Sequence, residues 1–382
     1  MSLLEPTSRD DPGSSTLPAT GRRPLHIVQI IESFGAGTLQ AVAAITRAMS
    51  ERGARTTVFH GNRAETPQDF QALFPEGVDF RPLATGRAVN GVIDAYDAAR
   101  IALFAVRHRV DVLHGHSSKG GALARMAGLL SGTPTVYTPH GFAFLTNGGP
   151  DRGKIAYKFE RLLGRLPALT VCCSTSEAEV ALLLSPRVTS IPNFIDLAAV
   201  DAMRARVPRD SGADILGVGR ISAQKNLPLF FALARRNPQM RCVWIGGPTS
   251  ELDGETPPDN VEITGWLSRD ESLARIAACK VFVSTSRFEG MPIALMEAMA
   301  MEIPVVCTDV AGNRDLVEDG ATGYLRDDED GLHAVIGQLL ADPAARARLG
   351  QGGRRKLERE NAPDVLRERW AELYDTVAKR SR

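Results

Sequence analysis

"KVFVSTSRFEGMPIALMEAMAMEIPVVCTD", Lys280 to Asp309, holds a strand, a loop, a helix and a second strand in one unbroken stretch. "KVFVSTS" and "IPVVCTD" are apolar almost throughout, the pattern of strands buried on both faces of a parallel sheet. "PIALMEAMAM" between them is helical and equally apolar. Two carboxylates break this pattern: Glu289 just before the helix and Glu297 inside it. A buried charge is costly unless it is paired. Glu297 therefore has a partner in the protein, or it waits for one that the chain does not contain.

The same strand–helix rhythm extends both ways. "ILGVG", "MRCVWIGG", "VEITG" and "TGYL" complete the strands of the second half. In the first half they are "LHIVQII", "RTTVFHG", "VDVLHGH", "PTVYT", "ALTVCCS" and "RVTSIP", with helices expected over 38–51 and 92–109 and in "GALARMAGLL". The stretch Pro192–Asp214 mixes Pro, Gly and charge and interrupts the rhythm. The chain reads as α/β, with two doubly wound domains facing a central cleft, 24–195 and 196–362. A charged amphipathic helix in 363–382 is expected to pack back across the interface. In such sheets ligands bind outside the carboxyl ends of the strands.

Composition narrows the function. The 382 residues are too many for one ordinary core. Lys plus Arg and Asp plus Glu are both 45, without the basic excess of a nucleic-acid binder. No run of 18 apolar residues is present to span a bilayer. Residues 1–23 are rich in Ser, Thr, Pro and Gly and read as a disordered leader. The five cysteines form no CxxC pair and read as buried, reduced thiols of a cytosolic protein.

The candidate chemistry lies at strand ends. "LGVGRISAQKN" places Gly219 at the end of a strand, then Arg220, with Lys225 at the next helix start. Two cations beside helix N–H groups suit a diphosphate, and a cation there works against the helix dipole. "FGAG" (Phe34–Gly37) follows the first strand and reads either as a tight turn or as a site of close ligand approach. "TPHGFAF" puts His140 at a strand end, while His114, His116 and Lys119 lie at another, where Lys119 is placed to meet an anion. Asp328 and Asp330 spell DxD but read as helix-capping carboxylates, and no metal motif appears. "DRGKIAYKFERLLGRLP" is a basic amphipathic helix with Ile155, Phe159, Leu162 and Leu166 on one face. Lys154, Lys158, Arg161 and Arg165 run beside that face. The helix either packs by its apolar stripe or meets an anionic bilayer.

Glu289 and Glu297, with seven residues between them, resemble the E-x7-E signature of the retaining family-4 glycosyltransferases with the GT-B fold. "GVGRISAQKN", "VEITGWLS", "DGATGYL", "HSSKGGALARMAGLLSGTPTVYTPHGFAF" and "IPNFID" are similar to that family in its order, from about Pro24 to Leu325. The first half is most similar to members that build bacterial exopolysaccharide or O-antigen. The resemblance implies that Arg220 and Lys225 grip the donor diphosphate beside Gly219, and that Glu297 bonds the ribose hydroxyls. It implies that Glu289 and the backbone of Gly290, Met291, Pro292 and Ile293 hold the transferred sugar, with His140 reaching it from the first domain. Gly35, Ala36 and Gly37, with His116 and Lys119, would line the acceptor side, and Thr264, Gly265, Trp266 and Leu267 would lie near the base. Two positions depart from the family: Phe194 where Gly is common, and Asp315 for a longer acid after Gly312.

The implied reaction moves a hexose from a nucleotide-diphosphate sugar, UDP-linked first and GDP-mannose second, with retained configuration. The implied acceptor is a polyprenyl-linked or other saccharide of a bacterial surface polysaccharide. No cofactor or metal is implied, because cations and helix N-termini neutralise the leaving group. The expected place of work is the cytoplasm, at the inner face of the membrane, by peripheral contact. The rivals are a nucleotide-sugar epimerase on the same fold, which needs no acceptor, and a non-catalytic nucleotide-sugar binding protein.

Overall fold

The computed structural model describes residues 23–379 except 64, 147–149, 248 and 253. The expected leader lies outside the described residues apart from Arg23. That residue belongs to the fold, its Nη2 donating to Asp111 Oδ1 at 2.8 Å.

The first half contains β1 (His26–Ile31), α1 (Ala36–Ser50), β2 (Arg55–His60), β3 (Asp79–Pro82), α2 (Gly91–Arg107), β4 (Val112–His116) and α3 (Ser117–Ser131). It continues with β5 (Thr135–Thr138), α4 (Ala143–Thr146), α5 (Pro150–Leu163), β6 (Ala168–Cys172), α6 (Thr175–Leu182), β7 (Val188–Ser190) and α7 (Leu197–Arg204). The second half contains β8 (Ile215–Val218), α8 (Leu227–Arg235), β9 (Cys242–Ile245), β10 (Val261–Ile263), α9 (Arg269–Ala278), β11 (Val281–Ser284) and α10 (Ile293–Ala300). It ends with β12 (Val305–Thr308), α11 (Ala311–Arg314), β13 (Tyr324–Arg326), α12 (Glu329–Ala341), α13 (Pro343–Glu360) and α14 (Pro363–Lys379).

Among the described residues the strands form a seven-stranded sheet, β3-β2-β1-β4-β5-β6-β7, and a six-stranded sheet, β10-β9-β8-β11-β12-β13. Their pairings are parallel. Strand order reverses between β1 and β4 in one sheet and between β8 and β11 in the other. The loops leaving those four strands are the topological switch points where such sheets bind ligands. Helix starts are set locally: Asn90 caps α2, and Ser268 with Glu271 forms a capping box on α9. Asp328 caps α12, as its sequence position suggests.

α14 returns to the first sheet. Leu366, Trp370 and Tyr374 pack with Ile27, Val112, Val136 and Phe194 in one buried cluster. Phe194 thus has a core role. β3 has no counterpart in the sequence reading, because "DFRP" is half-exposed and lies at the sheet edge.

α5 does not pack by its apolar stripe. Ile155, Phe159 and Leu162 are 71%, 47% and 59% exposed, so the apolar stripe faces outward. Glu160 and Leu163 turn inward instead. Buried Glu160 pairs with Arg125 Nη1 at 3.3 Å and accepts from the Tyr137 hydroxyl at 2.9 Å. Leu166, past the helix end, is half-buried.

Candidate active site

The switch-point loops of both sheets enclose a cleft of about 370 Å³. A separate hollow at the amino ends of β5 and β6 carries none of the strand-end chemistry.

The second-domain wall is charged. Gly219, Arg220 and Lys225 leave β8, and Glu289 to Ile293 leave β11; all line the cleft. Lys225 Nζ donates to Glu289 Oε1 at 2.6 Å, and Ser286 Oγ donates to the same oxygen at 2.6 Å. The two loops are tied to each other. Gln224 Nε2 donates to Phe288 O at 3.0 Å, Arg287 N to Gln224 O at 2.8 Å, and Thr285 Oγ1 to Lys225 O at 2.9 Å. Lys225 stands just ahead of α8, whose first turn is entered through left-handed Asn226 (φ 53°).

The first-domain wall mixes neutral and charged groups. Gly35, Ala36, Gly37, Ser117, His140 and Gly141 line it together with Glu32, Arg63, Glu65, Arg87 and Lys119, and Arg63 pairs with Glu32 at 2.5 Å. Ala36, Ser117 and His140 adopt left-handed φ of 46°, 59° and 52°. Such conformations cost about 1–3 kcal/mol each in a non-glycine residue and cluster at functional sites. The walls touch where Gly290 faces the 140–141 turn: a Cβ on Gly290 would come 3.0 Å from Gly141 N and 3.3 Å from Cys173 Sγ. Gly141 (φ 92°) is fixed from behind by Glu177, which accepts from Gly141 N at 2.5 Å and Cys173 N at 2.8 Å. Burial raises the Glu177 pKa above its ordinary value, and these backbone donors oppose the shift.

Behind this wall stand two more histidines. His140 Nε2 lies 2.9 Å from His116 Nδ1, and His116 Nε2 lies 2.7 Å from Gln29 Oε1. Burial pushes the His140 pKa down to about 4 and lowers His116 and His114 well below theirs. His116 is fully buried and does not line the cleft, so it holds His140 instead of meeting the acceptor. Lys119 does line the cleft, but its ammonium donates to Gly86 O and Ala88 O, both at 2.5 Å, and pairs with Asp94 Oδ1 at 3.1 Å. Its three N–H groups hold the loop before α2 and Asp94 in the first turn of α2, which leaves none for an anion.

Glu297 has the protein partner its burial requires. Arg269, at the start of α9, places Nη1 2.8 Å from Glu297 Oε1. Burial raises the Glu297 pKa, and Arg269 opposes the shift. Glu297 does not line the enclosed cleft. Neither do Thr264, Gly265, Trp266 and Leu267, whose loop bonds to the neighbouring β9 loop through Gly246 N and Gly265 O at 3.0 Å. Asp315 lies at the domain contact, accepting from Ser176 N at 3.4 Å. Lys154, Lys158, Arg161 and Arg165 are exposed on and just after α5, away from the cleft. Asp330 pairs with Arg236 at 2.5 Å. Among the described residues no cluster of His, Cys, Asp or Glu has the arrangement of a metal site, and the five cysteines are free and buried.

Sequence reasoning missed Gln29, Glu177, Arg269 and Tyr374. Gln29 carries a readable signal, an amide inside the otherwise apolar run "IVQII".

Comparison with known proteins agrees with this geometry. Residues 36–199 match the family model "Glycosyltransferase Family 4", and residues 201–356 match "Glycosyl transferases group 1". The chain is 31% identical over 255 residues to an Escherichia coli UDP-Gal:alpha-D-GlcNAc-diphosphoundecaprenol alpha-1,3-galactosyltransferase, covering 57% of this chain and 63% of that one. It is 26% identical over 327 residues to the putative glycosyltransferase EpsD of Bacillus subtilis (strain 168), covering 78% and 81%. Sucrose-phosphate synthase from Thermosynechococcus elongatus shares the fold with a TM-score of 0.76 at 17% identity, over 93% of this chain and 99% of that one. With both halves matched and two Rossmann-like domains enclosing the cleft, the chain belongs to the family-4 glycosyltransferases of the GT-B fold.

Proposed function

We propose that this glycosyltransferase transfers a hexose from a UDP-sugar, with retained configuration, to a polyprenyl-linked saccharide in bacterial surface polysaccharide synthesis. The observation that carries the reading is the Lys225–Glu289 pair, set beside Arg220 and facing His140 across the cleft. Arg220 and Lys225 bind the diphosphate and take up the negative charge that grows on it as the sugar bond breaks, the work a metal does elsewhere. Glu289, held by Ser286 and Lys225, orients the sugar together with the 290–293 backbone. The acceptor hydroxyl enters on the face the diphosphate leaves, and the leaving phosphate oxygen takes its proton. The Glu297 carboxylate and its Arg269 guanidinium suit the ribose hydroxyls. The E. coli relative, by its name, uses UDP-Gal and a diphosphoundecaprenol acceptor.

A lipid-linked acceptor requires the enzyme to reach a membrane face. No helix among the described residues is long and apolar enough to cross one. All but Trp266 and Val365 of the strongly exposed large apolar side chains among the described residues lie between Val89 and Leu183. On α5 that apolar surface runs beside Lys154, Lys158 and Arg161, and each cation near an anionic surface contributes about 1 kcal/mol. The wild type is expected to float with anionic liposomes at low salt, and the Lys154/Lys158/Arg161/Arg165→Glu variant to stay behind. Transfer is tested with a panel of UDP-hexoses and a polyprenyl-diphosphate-linked saccharide, in EDTA, reading the new anomeric centre by proton NMR. A retained α-linkage supports the proposal. Inversion, strict need for a divalent ion, or donor turnover without acceptor overturns it.

A further inference from the structure

The two histidines behind the cleft belong to a longer buried chain. On β1, Ile27 joins the cluster under α14 and Ile31 the cluster under α1; Gln29 lies between them, with no exposed surface. Strand register sets Gln29 against His114, Ile31 against His116, and His116 against Thr138. Alternate residues point to one face, so these polar groups gather beneath α14. His140 Nε2 meets His116 Nδ1 at 2.9 Å, and His116 Nε2 meets Gln29 Oε1 at 2.7 Å. Gln29 Nε2 donates to the Tyr374 hydroxyl at 3.3 Å, that hydroxyl lies 2.6 Å from His114 Nδ1, and His114 Nε2 lies 2.9 Å from Thr138 Oγ1. A buried polar network is stable only when fully satisfied, and an apolar core would be simpler. This one runs unbroken from the cleft to the last helix.

The chain has a polarity. An amide oxygen only accepts, so His116 Nε2 carries a proton. A neutral His116 then accepts at Nδ1, and His140 Nε2 must donate to it. The nitrogen left for the cleft, His140 Nδ1, keeps its lone pair. Tyr374 completes the order by accepting from Gln29 and donating to His114. Turning the Gln29 amide over would reverse every bond and put the proton on His140 Nδ1.

We propose that Tyr374 and Gln29 are positioning residues for His140: acting through His116, they hold its ring in the Nε2–H form, so that Nδ1 is presented as an acceptor to a hydroxyl of the sugar or its acceptor. This rests on the proposed transfer reaction for its catalytic meaning, but not for its test. α14, at the opposite end of the chain from β1, thereby sets the protonation pattern of a cleft residue.

Nitrogen-15 NMR of the histidine rings distinguishes the two neutral forms directly. Wild-type His140 is expected to show the proton on Nε2. Tyr374→Phe releases the amide and Gln29→Met removes it; either is expected to mix the two forms at His140. The same variants should lower kcat about tenfold, the effect of losing one hydrogen bond in the chain, with unchanged affinity for UDP. A proton on Nδ1 in the wild type overturns the proposal. So does a His140 spectrum unmoved by whichever of the Tyr374→Phe and Gln29→Met variants folds. If the protein transfers no hexose, the function proposed above fails, while the ring spectra still decide the chain.

Discussion

The two walls of the cleft are built from the same strand–loop–helix unit, yet they differ in chemistry. The second-domain wall carries Arg220, Lys225 and Glu289 on loops zipped together by backbone and side-chain bonds. The first-domain wall presents glycines, a serine and a histidine that burial keeps neutral, and its charges, among them Arg63 with Glu32 and Lys119 with Asp94, are paired within that domain. A diphosphate needs compensating charge held still while its own charge grows. A sugar ring needs directional donors and acceptors. On the proposed function, the second-domain cations serve the leaving group and His140 serves the transferred one, a division of labour that can be broken from either side.

Breaking the charged wall should have the largest effect. Arg220→Ala with Lys225→Ala removes two charge-assisted contacts of about 1.5–3 kcal/mol each. Steady-state kinetics should then show kcat/KM lower by roughly 10²–10⁴. The first-domain wall comes next: His140→Ala should lower kcat about 10²-fold with an unchanged donor KM. A rise in KM alone would mean that His140 only binds. Glu297→Gln should weaken UDP binding about tenfold by calorimetry, with kcat preserved, whereas Glu289→Ala should act mainly on kcat. Equal, wild-type-like behaviour of both would remove the distinction drawn between the glutamates.

The last effect is on stability, and its sign is fixed by the buried histidines. His114, His116 and His140 have folded pKa values below the ordinary 6.5. The unfolded chain therefore binds more protons than the folded one as pH falls below that value. Their contribution is fully present above about pH 6.5, and for His140 it is lost progressively as pH falls toward its folded value of about 4. The melting midpoint should drop over that window, each histidine adding at most about 1.4 kcal/mol per pH unit. His140→Gln should flatten the slope; an unchanged slope would show that His140 is not the group responsible.

Much of the fold was legible because its strands are buried on both faces and read as continuous apolar runs. β3 was not, since a half-exposed edge strand such as "DFRP" carries no such run. Glu289, Arg220 and Lys225 stood out because charges at strand ends in an apolar context are expensive without a purpose. The opening question about Glu297 needed the structure: its partner Arg269 opens α9, 28 residues earlier in the chain, and nothing local pairs the two. The positions of His116 and Lys119 were also out of reach. Whether a strand-end residue faces the cleft or stands behind it depends on left-handed turns at Ser117 and His140, which their residue types do not announce. Gln29 and Tyr374 are far apart in the chain and meet only because α14 returns to the first sheet.

UDP binding, without any sugar, separates the walls most directly. Calorimetric titration of UDP into the wild type, the Arg220→Ala/Lys225→Ala variant and the His140→Ala variant isolates the leaving group from the transferred one. The division of labour predicts that the double variant loses most of its UDP affinity, while His140→Ala binds UDP as the wild type does. A His140→Ala protein that loses UDP as completely as the double variant would contradict it.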